Sequence, residues 1–168
     1  MRKLLLPLSE QDILSLRTGE QILISGTLYT ARDAAHKRLV EDNFVPEETL
    51  HTVYYVGPTS TPPNKIIGSA GPTTATRMDK YSDYMAKIGT RVVIGKGKRS
   101  SETKEIFLNN RMIYLIAIGG LGALLSKCII KNKTILYSDL GPEAIRRLEV
   151  KDFPVIVGFD TKGVDIYE

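Results

Sequence analysis

The sequence has no tryptophan, few aromatic residues and a single cysteine, Cys128. One cysteine excludes an internal disulfide and suits a reducing compartment. It also cannot hold an iron–sulfur cluster alone, because such clusters take several thiolates. No grouping of histidine, cysteine and aspartate has zinc-site spacing, so we expect no metal ligands in this chain. The scarcity of aromatic side chains argues against a surface that stacks nucleic-acid bases.

Long apolar runs are also missing. The N-terminal run is interrupted at Pro7 and is too short for a signal peptide. The run over residues 112–125 is broken by glycines and is too short to span a bilayer. We therefore expect a soluble, cytoplasmic protein that does not bind a membrane.

The chain has 168 residues, of which 42% are hydrophobic and 25% charged, as in an ordinary globular domain. We expect one domain over residues 1–168. The net charge of +4 permits acidic partners without selecting them. Basic residues are scattered, and the densest group (Lys96, Lys98, Arg99) is short, so we expect no nucleic-acid binding.

Short β-rich runs alternate with helical segments along the chain. The pattern predicts strands at 21–28, 53–57, 91–94, 112–118, 129–137 and 154–159. It predicts helices that begin at Thr30 with a capping-box-like start, and at 74–88, 101–109, 121–127 and 141–148. This alternation predicts an α/β domain whose sheet is at least partly parallel.

The segment over residues 69–79 carries the strongest indication of a ligand site. A Gly-Pro turn precedes Thr73, Thr74 and Arg77 at the start of a predicted helix. A helix N-terminus offers free backbone N–H groups to an anion, and an arginine adds a fork that matches a carboxylate. The simpler alternative is an N-cap threonine with a solvated arginine, and one threonine can cap while the other faces a ligand.

Lys96 lies between two glycines, and this loop, like the 74–88 helix, follows a predicted strand. The spacing does not fit a nucleotide-binding P-loop. Because ligands bind at the carboxyl ends of strands in open α/β sheets, we expect the two segments to converge. Arg32 lies at the start of another predicted helix, four residues before His36. That histidine is either a proton donor at the site or a structural residue.

Taken together, these motifs resemble the C-terminal domain, or beta subunit, of class I iron–sulfur fumarases and L-tartrate dehydratases. Two long segments resemble the family signatures, SGTLYTARDAAHKR at 25–38 and GPTTATRMD at 71–79. Further matches follow in order: GKG at 95–97, YLIAIGG at 114–120, DLGPEAI at 139–145 and DFP at 152–154. Thr76 departs from a glycine found in many members.

The resemblance implies a swivelling three-layer β/β/α domain that forms part of a hetero-oligomeric hydro-lyase. In such an enzyme a separate alpha subunit carries a [4Fe–4S] cluster, and the beta subunit alone is inactive. The resemblance assigns Arg32, Arg77 and Lys96 to carboxylate binding and Thr73 to proton removal. It predicts the reversible hydration of fumarate to (S)-malate. An L-tartrate dehydratase beta subunit and a non-catalytic anion-binding module remain the alternatives.

Overall fold

A computed structural model describes residues 1–118 and 121–168, so Gly119 and Gly120 of the YLIAIGG motif lie outside the described residues. The strands are β1 (Arg2–Leu6), β2 (Gln21–Thr30), β3 (Thr52–Tyr54), β4 (Val92–Gly95), β5 (Ile113–Ile116), β6 (Ile129–Leu136) and β7 (Ile145–Phe159). The helices are α1 (Glu10–Ser15), α2 (Asp33–Glu41), α3 (Ser82–Lys87), α4 (Ser101–Asn109) and α5 (Gly122–Ser126), with 3-10 helices at Ala75–Tyr81 and Ser138–Glu143. None of the helices described has the length and apolar character needed to cross a membrane.

The seven strands form one sheet in the order β1-β2-β3-β4-β5-β7-β6, and β2 pairs with β7 as well. That extra pairing closes β2, β3, β4, β5 and β7 into a ring. Strands β1 to β5 pair in parallel with one another, whereas β7 is antiparallel to β2, β5 and β6. The predicted α/β class with a partly parallel sheet is therefore confirmed.

Two apolar clusters lie on opposite sides of this closed sheet. Successive side chains of a strand point to opposite faces, so neighbours such as Val53 and Tyr54 belong to different clusters. The interior cluster contains Leu28, Tyr54 and Phe153. The outer cluster packs the sheet against α2, α3 and α4 and contains Leu39, Met85 and Phe107. Both faces of the sheet are thus covered.

Several predicted elements are confirmed, and α4 has the predicted bounds. The hydroxyl of Ser100 caps α4 by accepting a hydrogen bond from the Thr103 amide at 3.2 Å. Two elements at the N-terminus were not predicted. Strand β1 extends the sheet beside β2, and α1 begins with a capping box between Ser9 and Asp12.

The helix predicted over residues 141–148 is wrong. The 3-10 helix ends at Glu143, and Ile145 begins the long strand β7. The apolar residues Ile145 and Leu148 are three positions apart, which resembles helical spacing. In β7 they lie on opposite faces, Ile145 in the outer cluster and Leu148 in the interior one. Because this strand is buried on both faces, the spacing of its apolar residues resembles that of a helix.

The helix predicted to begin at Thr30 begins three residues later, at Asp33. Thr30 is the last residue of β2 and is fully buried. Its hydroxyl donates to the carbonyl of Ala144 at 3.3 Å and accepts from the amide of Arg146 at 3.1 Å. The hydroxyl therefore joins β2 to the start of β7, and this long-range pairing replaces the local cap.

Candidate functional site

The four candidate residues lie beyond the carboxyl ends of three neighbouring parallel strands. Arg32 follows β2, Thr73 and Arg77 lie on the segment that follows β3, and Lys96 follows β4. Carboxyl ends of adjacent parallel strands lie at one edge of a sheet. The structure therefore brings the four residues to the same edge, and the predicted convergence of the two loops is confirmed.

Backbone hydrogen bonds hold the segments containing Thr73 and Lys96 side by side. The amide of Thr73 donates to the carbonyl of Tyr55 at 2.7 Å, and the amide of Ala75 donates to the carbonyl of Lys96 at 2.8 Å. Thr74 and Lys96 form a parallel bridge. These contacts extend the pairing of β3 with β4 past the strand ends, so the two segments have a defined register.

The proposed threonine cap is not formed. Thr74 occupies the N-cap position, but its side chain makes no capping hydrogen bond, and the helix starts as a 3-10 helix. Thr73 is half-buried, and its hydroxyl has no hydrogen-bond partner within the part of the chain described. Among the described residues, therefore, nothing occupies the Thr73 hydroxyl.

Arg77 reaches across to the N-terminus of α2. Its guanidinium lies 3.0 Å from the carboxylate of Asp33, and both side chains are partly exposed. Asp33 is the first residue of α2, where a carboxylate is favoured by the helix dipole. The ion pair therefore joins the segment of Arg77 to the N-terminus of α2, where Arg32 precedes Asp33.

Arg32 occupies the N-cap position of α2 in an extended conformation. Its side chain lies against Gly57, where an added Cβ would come within 2.9 Å of the guanidinium. The Nε atom is 3.5 Å from a carboxylate oxygen of Glu143, yet it is buried and hydrogen-bonded to no described residue. An unsatisfied buried donor of this kind is costly unless a ligand or water completes it.

Glu143 also caps the N-terminus of α2, which has no capping hydrogen bond from its own N-cap residue. Its carboxylate accepts a hydrogen bond from the amide of Ala34 at 3.0 Å. Glu143 lies on the distant 138–143 segment, within the DLGPEAI motif. It was not predicted as a site residue, because sequence spacing gives no indication that this segment folds back onto α2.

Lys96 is exposed, and no carboxylate in the described residues lies within 4.0 Å of its ammonium. Gly95, directly before it, allows a close approach of Tyr55. A Cβ at Gly95 would lie 2.8 Å from the Tyr55 ring. The first glycine of the predicted loop is therefore required by packing against this tyrosine, whereas the lysine faces outward.

Of the two roles considered for His36, the structure supports the structural one and not that of a proton donor at the site. Its side chain is buried against the rings of Tyr55 and Tyr81, and its Nδ1 donates to the carbonyl of Arg32 at 2.8 Å. Burial lowers the pKa of His36 to about 4, despite the opposing effect of that hydrogen bond. The imidazole is thus neutral at physiological pH and helps to fix the backbone at Arg32.

The basic run Lys96, Lys98, Arg99 divides between surface and interior. The two lysines are exposed, whereas the Arg99 side chain is 1% exposed and ion-paired with Asp79 at 2.7 Å. Asp79 ends the GPTTATRMD motif. Both residues were visible in the sequence, but a run of three basic residues does not show that one of them turns inward.

The described residues do not fit an iron–sulfur cluster. They contain no group of three or more histidine, cysteine or acidic side chains that could hold a metal. Cys128 is partly buried against the interior cluster, and its thiol lies 3.7 Å from the carbonyl of Asp152. Burial raises the pKa of the Cys128 thiol, which disfavours the thiolate that a cluster requires.

Two open grooves of about 600 and about 500 Å³ lie away from these four residues. They share Ile66 and are lined by β6, by residues 62–69 and by the region of α5. None of the four candidate residues lines either groove. The two arginines and one lysine of the candidate site suit a small ligand that carries more than one carboxylate.

Comparison with known proteins identifies the relatives of this chain. The sequence model of the family described as "Fumarase C-terminus" matches residues 2–168. The chain is 40% identical to fumarate hydratase 2 of Leishmania major over 94% of its length. It is 37% identical to the aerobic class I fumarate hydratase of Escherichia coli over all of its length. It spans only 29% and 31% of those proteins. A putative L(+)-tartrate dehydratase subunit beta of Methanocaldococcus jannaschii is 33% identical, with 96% of this chain and 88% of that protein covered.

Proposed function

This chain belongs to the fumarase C-terminus family, and from that premise we propose that it supplies half of the active site of a class I hydro-lyase. The proposed reaction is the reversible hydration of fumarate to (S)-malate. The observation that carries the proposal is the meeting of Arg32, Thr73, Arg77 and Lys96 at one edge of the sheet. Arginine and lysine are the expected partners of a C4 dicarboxylate.

In this proposal Arg32, Arg77 and Lys96 hold the two carboxylates of the substrate. The Nε of Arg32 lies 3.5 Å from the carboxylate of Glu143 and makes no hydrogen bond to a described residue, so substrate binding shares or displaces this ion pair. Lys96 has no carboxylate partner in the described residues that would compete with the ligand. Arg77 has one in Asp33, so substrate binding shares or displaces that ion pair. The same cations stabilise the extra negative charge that develops when a proton leaves the carbon beside a carboxylate.

Thr73 is the proposed proton-transfer residue. A threonine hydroxyl is a weak base at neutral pH, so its activity needs neighbouring positive charge. Lys96 lies on the segment paired directly with that of Thr73, as the bridge through Thr74 shows. The Thr73 hydroxyl, which bonds to no described residue, and the presence of a cationic residue on the paired segment support the assignment.

We assign the [4Fe–4S] cluster to a partner alpha subunit, because the described residues of this chain do not fit it. The curated fumarate hydratases are about three times as long as the segment they share with this chain, and the tartrate dehydratase relative is named a subunit beta. The proposed enzyme is therefore a hetero-oligomer, and this chain alone is inactive. When bound, the cluster supplies a Lewis acid for the substrate hydroxyl.

Exposed apolar side chains support an interface with a partner. Ile66 lies on the segment that follows β3, and Leu121 and Leu124 lie beyond β5, with 37–56% of their surfaces exposed. Exposed apolar side chains of this size are typical of interfaces. The proposal also includes a cytoplasmic enzyme and a swivelling three-layer β/β/α domain over residues 1–168. The helices packed on one face of the closed sheet support that arrangement.

The test is anaerobic co-expression with a cluster-bearing alpha subunit, followed by the loss of fumarate absorbance in the ultraviolet. We expect hydration only when both chains are present. Activity of the purified chain alone contradicts the shared site. A failure of the two chains to associate favours the non-catalytic anion-binding module.

A matched pair of variants tests the role of Thr73. Replacing Thr73 with valine removes the hydroxyl and keeps the shape, so we expect kcat to fall about 100-fold or more, the usual contribution of a positioned acid or base. Thr76→Val is the control, because Thr76 is exposed on the same segment. Equal activities of the two variants contradict the assignment.

The second candidate is the beta subunit of an L-tartrate dehydratase. It is favoured by the relative from Methanocaldococcus jannaschii, which this chain covers to 88% at 33% identity. A cluster-loaded complex that dehydrates L-tartrate and leaves fumarate unchanged identifies this alternative. The two substrates present the same pair of carboxylates, so the cationic residues of this chain serve both reactions.

A further inference from the structure

A buried arginine lies beneath the loop that carries Lys96, and the proposed reaction does not use it. We propose that Arg99 is a positioning residue that fixes, through Asp79, the placement of Lys96 relative to Arg77 and Thr73. This inference rests on the proposed function. With its side chain 1% exposed, Arg99 acts from behind the site and does not touch the substrate.

The carboxylate of Asp79 joins the two segments that form the site. One of its oxygens accepts from Nε of Arg99 at 2.7 Å, and the other accepts from the amide of Ser100 at 2.8 Å. Asp79 lies two residues beyond Arg77 on the 3-10 helix. Arg99 and Ser100 end the loop that begins at Lys96. One ion pair therefore sets the distance between the segments that carry the two cations.

Three aromatic rings surround the guanidinium of Arg99. Its central carbon lies 5.2 Å from the ring of Tyr55, 5.0 Å from Phe107 and 4.9 Å from Tyr114. Its Nη2 also donates to the hydroxyl of Tyr55 at 3.2 Å. The backbone of Tyr55 in turn accepts the hydrogen bond from Thr73. Arg99 is thus connected both to the segment of Thr73 and Arg77 and to the loop of Lys96.

Stability alone gives little reason for a charge at this position. A buried ion pair is often replaced by apolar residues without loss of stability, because removing both charges from water is costly. The ion pair instead fixes the relative orientation of the two segments, since the planar guanidinium of arginine forms hydrogen bonds only in fixed orientations. Lysine offers a single ammonium and cannot both pair with Asp79 and stack between the rings in the same way.

The kinetic test uses the complex with the alpha subunit and two variants, Arg99→Lys and Asp79→Asn. We expect kcat/KM for fumarate to fall about 100-fold, the scale of effect that misplacement by about 1 Å can produce. We expect KM to rise more than kcat falls, because Lys96 and Arg77 bind the carboxylates in the ground state as well. Lys104→Met is the matched control. Lys104 lies outside the candidate site and forms a mostly buried ion pair with Asp165, in which nitrogen and oxygen are 3.0 Å apart.

A second readout needs no activity. The amide of Ala75 donates to the carbonyl of Lys96, so its hydrogen exchange reports the pairing of the two segments. In the chain alone we expect faster exchange at Ala75 and Ser100 in Arg99→Lys and Asp79→Asn, and unchanged exchange at both in Lys104→Met. This measurement tests the inference separately from the proposed function. If the wild-type complex is inactive, the proposed function is wrong, but hydrogen exchange still shows whether Arg99 and Asp79 hold the two segments together.

The inference is overturned if both variants keep the kcat/KM of Lys104→Met, or if exchange at Ala75 is unchanged in both. It is also overturned if neither variant folds, because the role of the pair is then stability. If Arg99→Lys alone fails to fold, the isosteric Asp79→Asn decides the result.

Discussion

The two sides of the closed sheet have different chemistry. The interior cluster is built from apolar side chains such as Leu28, Val157 and Phe153, together with the buried ring of Tyr54. The outer side, under the helices, contains buried polar residues as well, among them His36, Arg99 and Thr103. Interior packing is mainly apolar contact, with one oriented hydrogen bond from the Tyr54 hydroxyl to the Ala70 carbonyl at 2.5 Å, whereas the outer layer contains several oriented polar contacts.

This difference indicates a division of labour. Apolar contact is non-directional, so the interior stabilises the ring of strands but does not place a charge at a given point. The outer layer carries the contacts that fix Arg32 through His36 and the Lys96 loop through Arg99. A substitution in the interior is therefore expected to change stability alone. A substitution in the outer layer is expected to change both stability and activity.

The sharpest test of this division compares two fully buried phenylalanines, Phe153 in the interior and Phe107 under Arg99. Replacing either with alanine is expected to lower the free energy of unfolding by about 3–5 kcal/mol, because each leaves a cavity. In assays of folded complex, only Phe107→Ala is expected to lower kcat/KM. Equal kcat/KM values in the two variants contradict the division.

The second prediction concerns pH and the outer layer. Burial holds the pKa of His36 at about 4, below the ordinary value of 6.5, so the unfolded chain binds a proton before the folded one as pH falls. The stability contributed by neutral His36 is fully present above about pH 6.5 and is lost toward pH 4, by about 3 kcal/mol in total. Urea unfolding across this range measures the loss.

The matched variant is His36→Asn, which keeps an N–H for the carbonyl of Arg32 and removes the titration. Its stability is expected to change less over the same range, and the difference from wild type isolates His36. Asp160 also contributes to acid sensitivity, because hydrogen bonds from backbone amides outweigh its burial and lower its pKa. A wild-type curve parallel to that of the variant contradicts the prediction.

The third prediction compares two partly exposed arginines, each paired with an aspartate. Arg77 bonds to Asp33 at the candidate site, and Arg38 bonds to Asp139 at 2.8 Å on the rim of the outer layer. We expect Arg77→Ala to cost about 2–3 kcal/mol of transition-state stabilisation, measured as kcat/KM in the assembled enzyme. Arg38→Ala is the control and is expected to leave kcat/KM unchanged. An equal effect of the two contradicts the role of Arg77.

Sequence patterns predicted the elements whose signals are local. Helix α4 was predicted with its observed bounds, and the structure shows that its cap, Ser100, lies directly before it in the chain. The 141–148 segment was assigned wrongly because β7 is buried on both faces, and such burial leaves no alternation to detect. Thr30 was assigned as a cap because its long-range partners at Ala144 and Arg146 cannot be seen in local sequence.

The candidate site, like the fold, was predicted only in part. The convergence of the segments that carry Arg77 and Lys96 was expected from their positions after predicted strands, whereas Arg32 was joined to them only through the family resemblance. Their supporting residues were missed. Glu143, Asp79 and Arg99 are ordinary charged residues in sequence, and only the folded chain shows that the first caps α2 and the other two form a buried pair.

The sequence by itself determined most of the alternation of strands and helices, the family and which charged residues are candidates for the site. Each depends on the chemical identity of residues or on spacing along a short segment. Only the tertiary structure decided the closure of β2 onto β7, the burial of Arg99 and the neutral state of His36. Each depends on which distant segments exclude water around a group, and burial is a property of the whole fold.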